Sequence, residues 1–279
     1  MEILDQPQSP EGEYNFSQKT ASLLHDGFNF DLGGYISKGH KILKSDLGRF
    51  IGYELLVFLI SIGIGMVPVA GTIANFIIGN SLFIGFAIFA RRIYLNLPRT
   101  FSNFFDGFRL VGPLVLLRLL NAILIGIIAI PYLLITMGSF FLTIFRKAFT
   151  NDASDIDPSY ILSNILKLIP LFVVIIIIQV LLAFSTYMVT FGRIGAIEAI
   201  TLSMKIVGKK FLSFFLFFIV LILINIGGAL LLVVGLLYTI PLTLCAMYAA
   251  YESIVGTNPR DELLDNKPVS GAPLVTPVD

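Results

Sequence analysis

Charge and apolar character alternate along this chain in long blocks, without the short period of a soluble helix or strand. Residues 50–90 form a 41-residue stretch whose only charge is Glu54, and residues 211–251 form another 41-residue stretch with none. One membrane span needs about 20 apolar residues. A straight helix of 41 residues would be about 60 Å long, twice the hydrocarbon thickness, so each stretch is expected to fold back on itself. Pro68-Val69-Ala70-Gly71 interrupts the first stretch and Gly235 the second, which predicts spans at about 50–67, 72–90, 211–232 and 236–251. Between them, the uncharged runs Leu119–Phe145 and Leu168–Gly192 predict spans at about 113–137 and 168–190. The expected fold is an all-α polytopic membrane bundle of six transmembrane helices in three hairpins over residues 31–255. Residues 1–30 and 256–279, rich in Pro, Asp, Glu, Ser and Gly, read as flexible cytoplasmic tails.

An amphipathic segment precedes each hairpin. Residues 31–47 set Tyr35, Ile36, Ile42, Leu43 and Leu47 against Ser37, Lys38, Lys41, Lys44 and Ser45, with Asp31 placed to cap. Residues 194–211 set Ile197, Ile200, Met204, Val207 and Phe211 against Glu198, Ser203, Lys205 and Lys209. A shorter segment, Thr100–Arg109, sets Phe101, Phe104, Phe105 and Phe108 against Asn103 and Asp106. Two readings stand: helices lying in the cytoplasmic headgroup layer, or ordinary helices packed under the bundle. In the first, Lys38, Lys41, Lys44, Lys205, Lys209 and Lys210 contact anionic lipid headgroups.

The first and last thirds also align without gaps. Lys41 pairs with Lys205, Ile42 with Ile206, Phe50 with Phe214, Gly63 with Gly227 and Gly71 with Gly235. Identity is low, but the equal apolar runs, each preceded by a basic amphipathic segment and broken at the same distance, predict a parallel internal repeat.

Composition agrees with a membrane chain. Of 279 residues 56% are apolar and 13% charged, with a mean hydropathy of +0.89. An average globular protein has about 25% charged residues. Soluble enzyme and nucleic-acid-binding classes are thereby disfavoured, and no basic-aromatic patch implies nucleic acid. The net charge of +1 hides a segregation. With six spans, thirteen basic residues fall near the span ends on the side of the termini, against Arg146, Lys147 and Lys167 on the other, whose loop carries Asp152, Asp155 and Asp157. The positive-inside rule then places both termini in the cytoplasm. The acidic start of the chain predicts no cleaved signal peptide. The one cysteine, Cys245, allows no internal disulfide.

Glu54 and Arg118 are the ionised side chains within the predicted spans, and counting from Arg49 and Pro113 puts both at similar depth. An ion pair between them is therefore expected, serving either structure or a proton or anion pathway. Asn75, Asn80, Asn121, Gln179 and Asn225 must find polar contacts across helices, since lipid offers none. The histidines, His25 and His40, lie in the N-terminal region, and no HExxH, GxxxxGK[ST] or GxSxG motif is present. No catalytic residue, cofactor or metal site is expected.

The segment Arg193–Phe211, with Ile224-Asn-Ile-Gly-Gly-Ala-Leu, Gly235-Leu-Leu-Tyr-Thr-Ile-Pro-Leu-Thr and Ala249-Ala-Tyr-Glu, resembles a bacterial, Bacteroidota-type family of six-span membrane proteins of unknown function. It is also similar to the membrane domain fused to some glycerophosphodiester phosphodiesterases. Tyr35–Lys44 and Ile84-Gly-Phe fit the same pattern, so the likeness covers roughly residues 30–256. It implies a location in the bacterial inner membrane and supplies no catalytic residue. The expected role is a non-enzymatic membrane component that organises lipid or a protein partner. The alternative is a transporter or channel, for which the five polar residues would converge on one midplane cavity.

Overall fold

The computed structural model describes residues 16–150, 158–231 and 234–257. These form α1 (Phe16–Asp26), α2 (Leu32–Ser45), α3 (Leu47–Gly65), α4 (Pro68–Tyr94), a 3₁₀ helix (Phe101–Leu110), α5 (Val111–Thr150), α6 (Pro158–Leu166), α7 (Ile169–Leu181), α8 (Ser185–Phe191), α9 (Ala196–Lys209), α10 (Phe211–Leu230) and α11 (Leu236–Ile254). Five stretches are long and apolar enough to cross a membrane: Leu47–Gly65, Pro68–Tyr94, Phe101–Lys147, Ser159–Phe191 and Phe211–Leu230. The sixth predicted position is the helix α11, which is not among the five. Residues 1–15 and 258–279 of the expected tails, and the acidic loop with Asp152, Asp155 and Asp157, lie outside the described residues. Residues 16–30 of the expected N-terminal tail contain α1 and contact the bundle. α1 packs on α9, and Phe28 and Phe30 set their rings edge-on against Phe214.

Local chemistry explains most boundaries. Asp31 caps α2, its Oδ1 accepting the Gly34 N–H at 2.9 Å. Pro68 opens α4, where a missing N–H costs nothing. Pro131 lies inside α5 and does not end it, so this helix runs 40 residues, past the predicted end at 137. The Tyr132 hydroxyl, donating to the Lys167 carbonyl at 2.7 Å, ties α5 to the chain just before α7. The predicted span 168–190 is instead two helices. Ser203 of α9 donates to the Leu181 carbonyl at 2.8 Å and accepts the Phe184 N–H at 3.2 Å, so a side chain has entered the backbone ladder between α7 and α8.

Four backbone hydrogen bonds around α3 have counterparts 164 positions later, around α10. Asp46 N–H donates to Leu43, and Lys210 N–H to Val207; Phe50 donates to Asp46, and Phe214 to Lys210. At the next break Val67 donates to Ile64 and Gly71 to Val67, matched by Leu231 to Gly228 and Gly235 to Leu231. A Cβ on Gly71 would collide with the Ile64 carbonyl, and one on Gly235 with the Gly228 carbonyl, so both turns need glycine for the close approach. Ile42 and Ile206, Phe50 and Phe214, and Tyr53 and Phe217 are fully buried at matched positions.

Helix contacts close into a ring. α3 packs on α4, α4 on α5, α5 on α7, α7 on α10, α10 on α11, and α11 on α3. The amphipathic segments also follow a cycle: α2 lies on α11, the 3₁₀ helix on α4, and α9 on α7 and α8. Gly39 of α2 rides directly on the Ala246 backbone, where a Cβ would stand 2.5 Å from the amide nitrogen. Inside the ring α4 meets both α8 and α11, and Phe184, Tyr187 and Phe191 pack on Tyr248 and Tyr251. Toward the turns, by contrast, Met66, Val69, Ile135, Leu230 and Val234 are largely exposed, as a lipid-facing surface requires.

Two amphipathic assignments need correction. α9 buries Ala196, Ala199, Ser203, Ile206 and Val207 and exposes Ile197 and Met204, so its packed stripe is turned by about one residue from the predicted one. The small Ala199 and Ser203 permit the closer contact with α8. In the 3₁₀ helix, Asn103 and Asp106 face inward instead of outward. Asn103 Oδ1 accepts the Thr100 N–H at 2.7 Å and its Nδ2 donates to Asp106 at 2.9 Å, so these polar atoms are paired under the helix.

Candidate functional site: charged and polar groups within the bundle

Glu54 is buried on the inner face of α3, beside Phe50, Tyr53 and Val57. Its Oε2 has no hydrogen-bond partner among the described residues. The neighbouring Tyr53 hydroxyl donates to the Leu82 carbonyl at 2.9 Å, which fixes the level of this turn of α3 against α4. Arg118 lies elsewhere: its Nη1 donates to the Asn75 carbonyl at 2.8 Å, and its Cζ stands 5.2 Å from the centre of the Phe76 ring. Asn75 precedes Leu82 by seven residues, about 10 Å along a helix. The expected Glu54–Arg118 ion pair is therefore not formed among the described residues. Counting from the first charged or proline residue gave equal depths only because it ignored where α3 and α5 meet α4.

Nor do the intramembrane amides gather. Asn225 Nδ2 donates to the Leu221 carbonyl at 2.9 Å and to Thr243 Oγ1 at 3.3 Å, joining α10 to α11. Asn121 Oδ1 is buried without a partner on α5. Asn75 and Gln179 are exposed on α4 and α7, and Asn80 is half-buried. No hydrogen bond joins any two of these five residues among the described contacts. Of the lysines, Lys41, Lys44, Lys205, Lys209 and Lys210 are exposed, whereas Lys38 is half-buried and donates to Ser253 Oγ at 3.2 Å.

A buried polar layer that the sequence reading did not single out lies where α4 and α11 end. Arg91, Arg92 and Asp106 are buried, and Arg92 Nη1 donates to the Pro98 carbonyl at 2.6 Å. Tyr248 donates to Glu252 at 3.1 Å, and the Arg91 charge acts on Glu252 through space. Nearby, Asp46 Oδ2 holds Arg49 at 2.7 Å and Arg99 at 3.1 Å, pinning the start of α3 to the 3₁₀ segment. The available signal was the pairing of Arg91-Arg92 with Tyr251-Glu252 near the ends of two helices that lead back to one side. Groups of His, Cys, Asp and Glu able to hold a metal ion are absent among the described residues.

All-helical among the described residues, with five helices there able to cross a bilayer, the chain is a multi-pass membrane protein. No protein family, curated protein or solved structure matches it.

Proposed function

We propose that this chain is a non-enzymatic component of the bacterial inner membrane that organises the lipid around it or a protein partner within the bilayer. In this reading six helices form three hairpins, each preceded by an amphipathic segment, with both termini cytoplasmic and the first and third units related as a parallel repeat. The four pairs of hydrogen bonds matched at a spacing of 164 residues and the cyclic order of contacts support that arrangement. The likeness to six-span bacterial membrane proteins and to phosphodiesterase-fused membrane domains belongs to the same proposal.

One observation carries the role: where the returning helices meet, the interior is filled by Phe86, Phe89, Phe184, Tyr248 and Tyr251, each almost wholly buried. A solute path would need polar groups continuing through these rings, whereas the buried Arg91 and Arg92 and the half-buried Glu252 stand at the ends of α4 and α11 and the five intramembrane amides lie apart. The exposed lysines of α2 and α9 then face the cytoplasmic headgroups, each contributing about 1 kcal/mol of attraction to anionic lipid. Mass spectrometry of lipids co-purified in mild detergent is expected to show phosphatidylglycerol enriched over the bulk membrane. Replacing Lys41, Lys44, Lys205, Lys209 and Lys210 by glutamine should remove most of that enrichment. Unchanged lipid retention, or solute flux through proteoliposomes of the pure protein, would overturn the proposal. The topology has its own check: a reporter fused after Asn151 should read as periplasmic, and a cytoplasmic signal would reverse the orientation.

A further inference from the structure

We infer that Arg118 and Asn75 form a binding site for the oxyanion of an acidic lipid, a phosphate or a carboxylate, on the lipid-facing side of the α4–α5 contact. The inference goes beyond the lysine layer, since it concerns one discrete site within the apolar stretch. Arg118 is half-buried in the middle of hydrocarbon-facing sequence, and no carboxylate among the described residues lies within ion-pair distance of it. A charge so placed costs about 2.5–3.5 kcal/mol on insertion scales. The structure answers part of that cost. The Nη1 hydrogen bonds reach the Asn75 and Phe76 carbonyls at 2.8 and 3.5 Å, and the Phe76 ring faces the guanidinium.

What remains is a fork of donors with nothing to receive them. Arg118 Nε and Nη2 donate to no group among the described residues, and these are the atoms that grip an oxyanion side by side. Asn75 is a separate anomaly: an amide exposed among the apolar residues Ile73, Ala74, Phe76 and Ile77, its side chain making no hydrogen bond among the described residues. The two meet across Gly79. A Cβ there would stand 2.7 Å from Arg118 Nη1 and 2.6 Å from Asn75 Oδ1, so the absent side chain is what lets guanidinium and amide share one opening. Rotating the Asn75 amide presents its N–H₂ to the same oxyanion that Arg118 would hold. Net positive charge, unused donors and exposure to lipid specify an anionic amphiphile whose acyl chain lies along α4 and α5.

Native mass spectrometry of the full chain tests this, with phosphatidylglycerol, oleate and phosphatidylcholine added in turn. One tightly held phosphatidylglycerol or oleate per chain is expected, the preferred probe telling phosphate from carboxylate, with phosphatidylcholine at least tenfold weaker. Arg118→Gln should lose that lipid by tenfold or more, and Arg118→Lys should restore part of it. Gly79→Ala keeps the charge but crowds the guanidinium, so it should weaken the lipid severalfold in a folded protein. The variant lacking the five surface lysines should keep it, which separates this site from the headgroup layer. Equal retention of phosphatidylcholine, or retention unchanged in both Arg118→Gln and Gly79→Ala, would overturn the inference.

Discussion

Replacing Phe104 by alanine is expected to remove about 3–5 kcal/mol of stability, the cost of a large cavity at a site that cannot collapse. Phe104 is fully buried and sits between two rings, stacked 4.0 Å from Phe89 and 4.2 Å from Tyr53, with Phe50 and Phe86 edge-on at 5.6 and 6.0 Å. Each of these neighbours comes from α3 or α4, so the ring is the central wedge between the 3₁₀ helix and that pair, with Phe105 edge-on to Tyr53 beside it. Its backbone is engaged as well, since the Phe104 carbonyl accepts from the Tyr53 hydroxyl at 3.4 Å. Thermal unfolding in detergent should show a lowered midpoint, and proteolysis should open the segment between α4 and α5 first. Phe101→Ala is the control, because that ring is exposed at the edge of the cluster and should shift the midpoint far less. An unchanged midpoint for Phe104→Ala would show that the cluster is not what fastens this segment.

Gly39→Leu is expected to undo the docking of α2 on α11. The Cβ of any residue at 39 meets the Ala246 backbone at 2.5 Å, and backbone, unlike the end of a side chain, has no rotamer to retreat into. Overpacking commonly costs about 1–3 kcal/mol, and here the whole interface must separate, so the effect belongs at or above the top of that range. Tyr35, Ile42 and Leu43, all buried against the bundle, would be uncovered together. A cysteine placed at Ile42, which the docked helix buries fully, should then label faster with a water-soluble maleimide, with Cys245 left in place as a buried, slow-reacting reference. Labelling no faster than in the parent would mean that α2 accommodates the side chain and that the crossing is not tight.

How far these contacts were legible in the sequence differs from one element to the next. The two long apolar stretches and their glycine breaks located α3, α4, α10 and α11 to within a few residues, because helix length and backbone crowding at a turn are local constraints. The same locality let Asp31 be read as the cap of α2. α9 was located well but turned wrongly, since hydrophobicity favoured Ile197 and Met204 for the packed face. Close approach to α8 instead selected Ala199 and Ser203. Asn103 and Asp106 read as an outer face for a similar reason: a polar atom paired beneath a short helix has the same one-letter code as one in water. The Glu54–Arg118 pair failed on depth, a quantity set by how helices slide against each other.

Sequence by itself determined that the chain is helical and membrane-spanning, and where most of its long apolar helices begin and turn. These follow from the cost of placing charge or an unpaired peptide group in hydrocarbon, which every residue registers where it stands. Tertiary structure alone decided the cyclic seating of α2, the 3₁₀ helix and α9, the break that Ser203 makes between α7 and α8, and the company Arg118 keeps. Those depend on side chains that meet across tens of residues of chain, and in a bilayer, where lipid is as apolar as leucine, close fit and hydrogen bonding choose the neighbours.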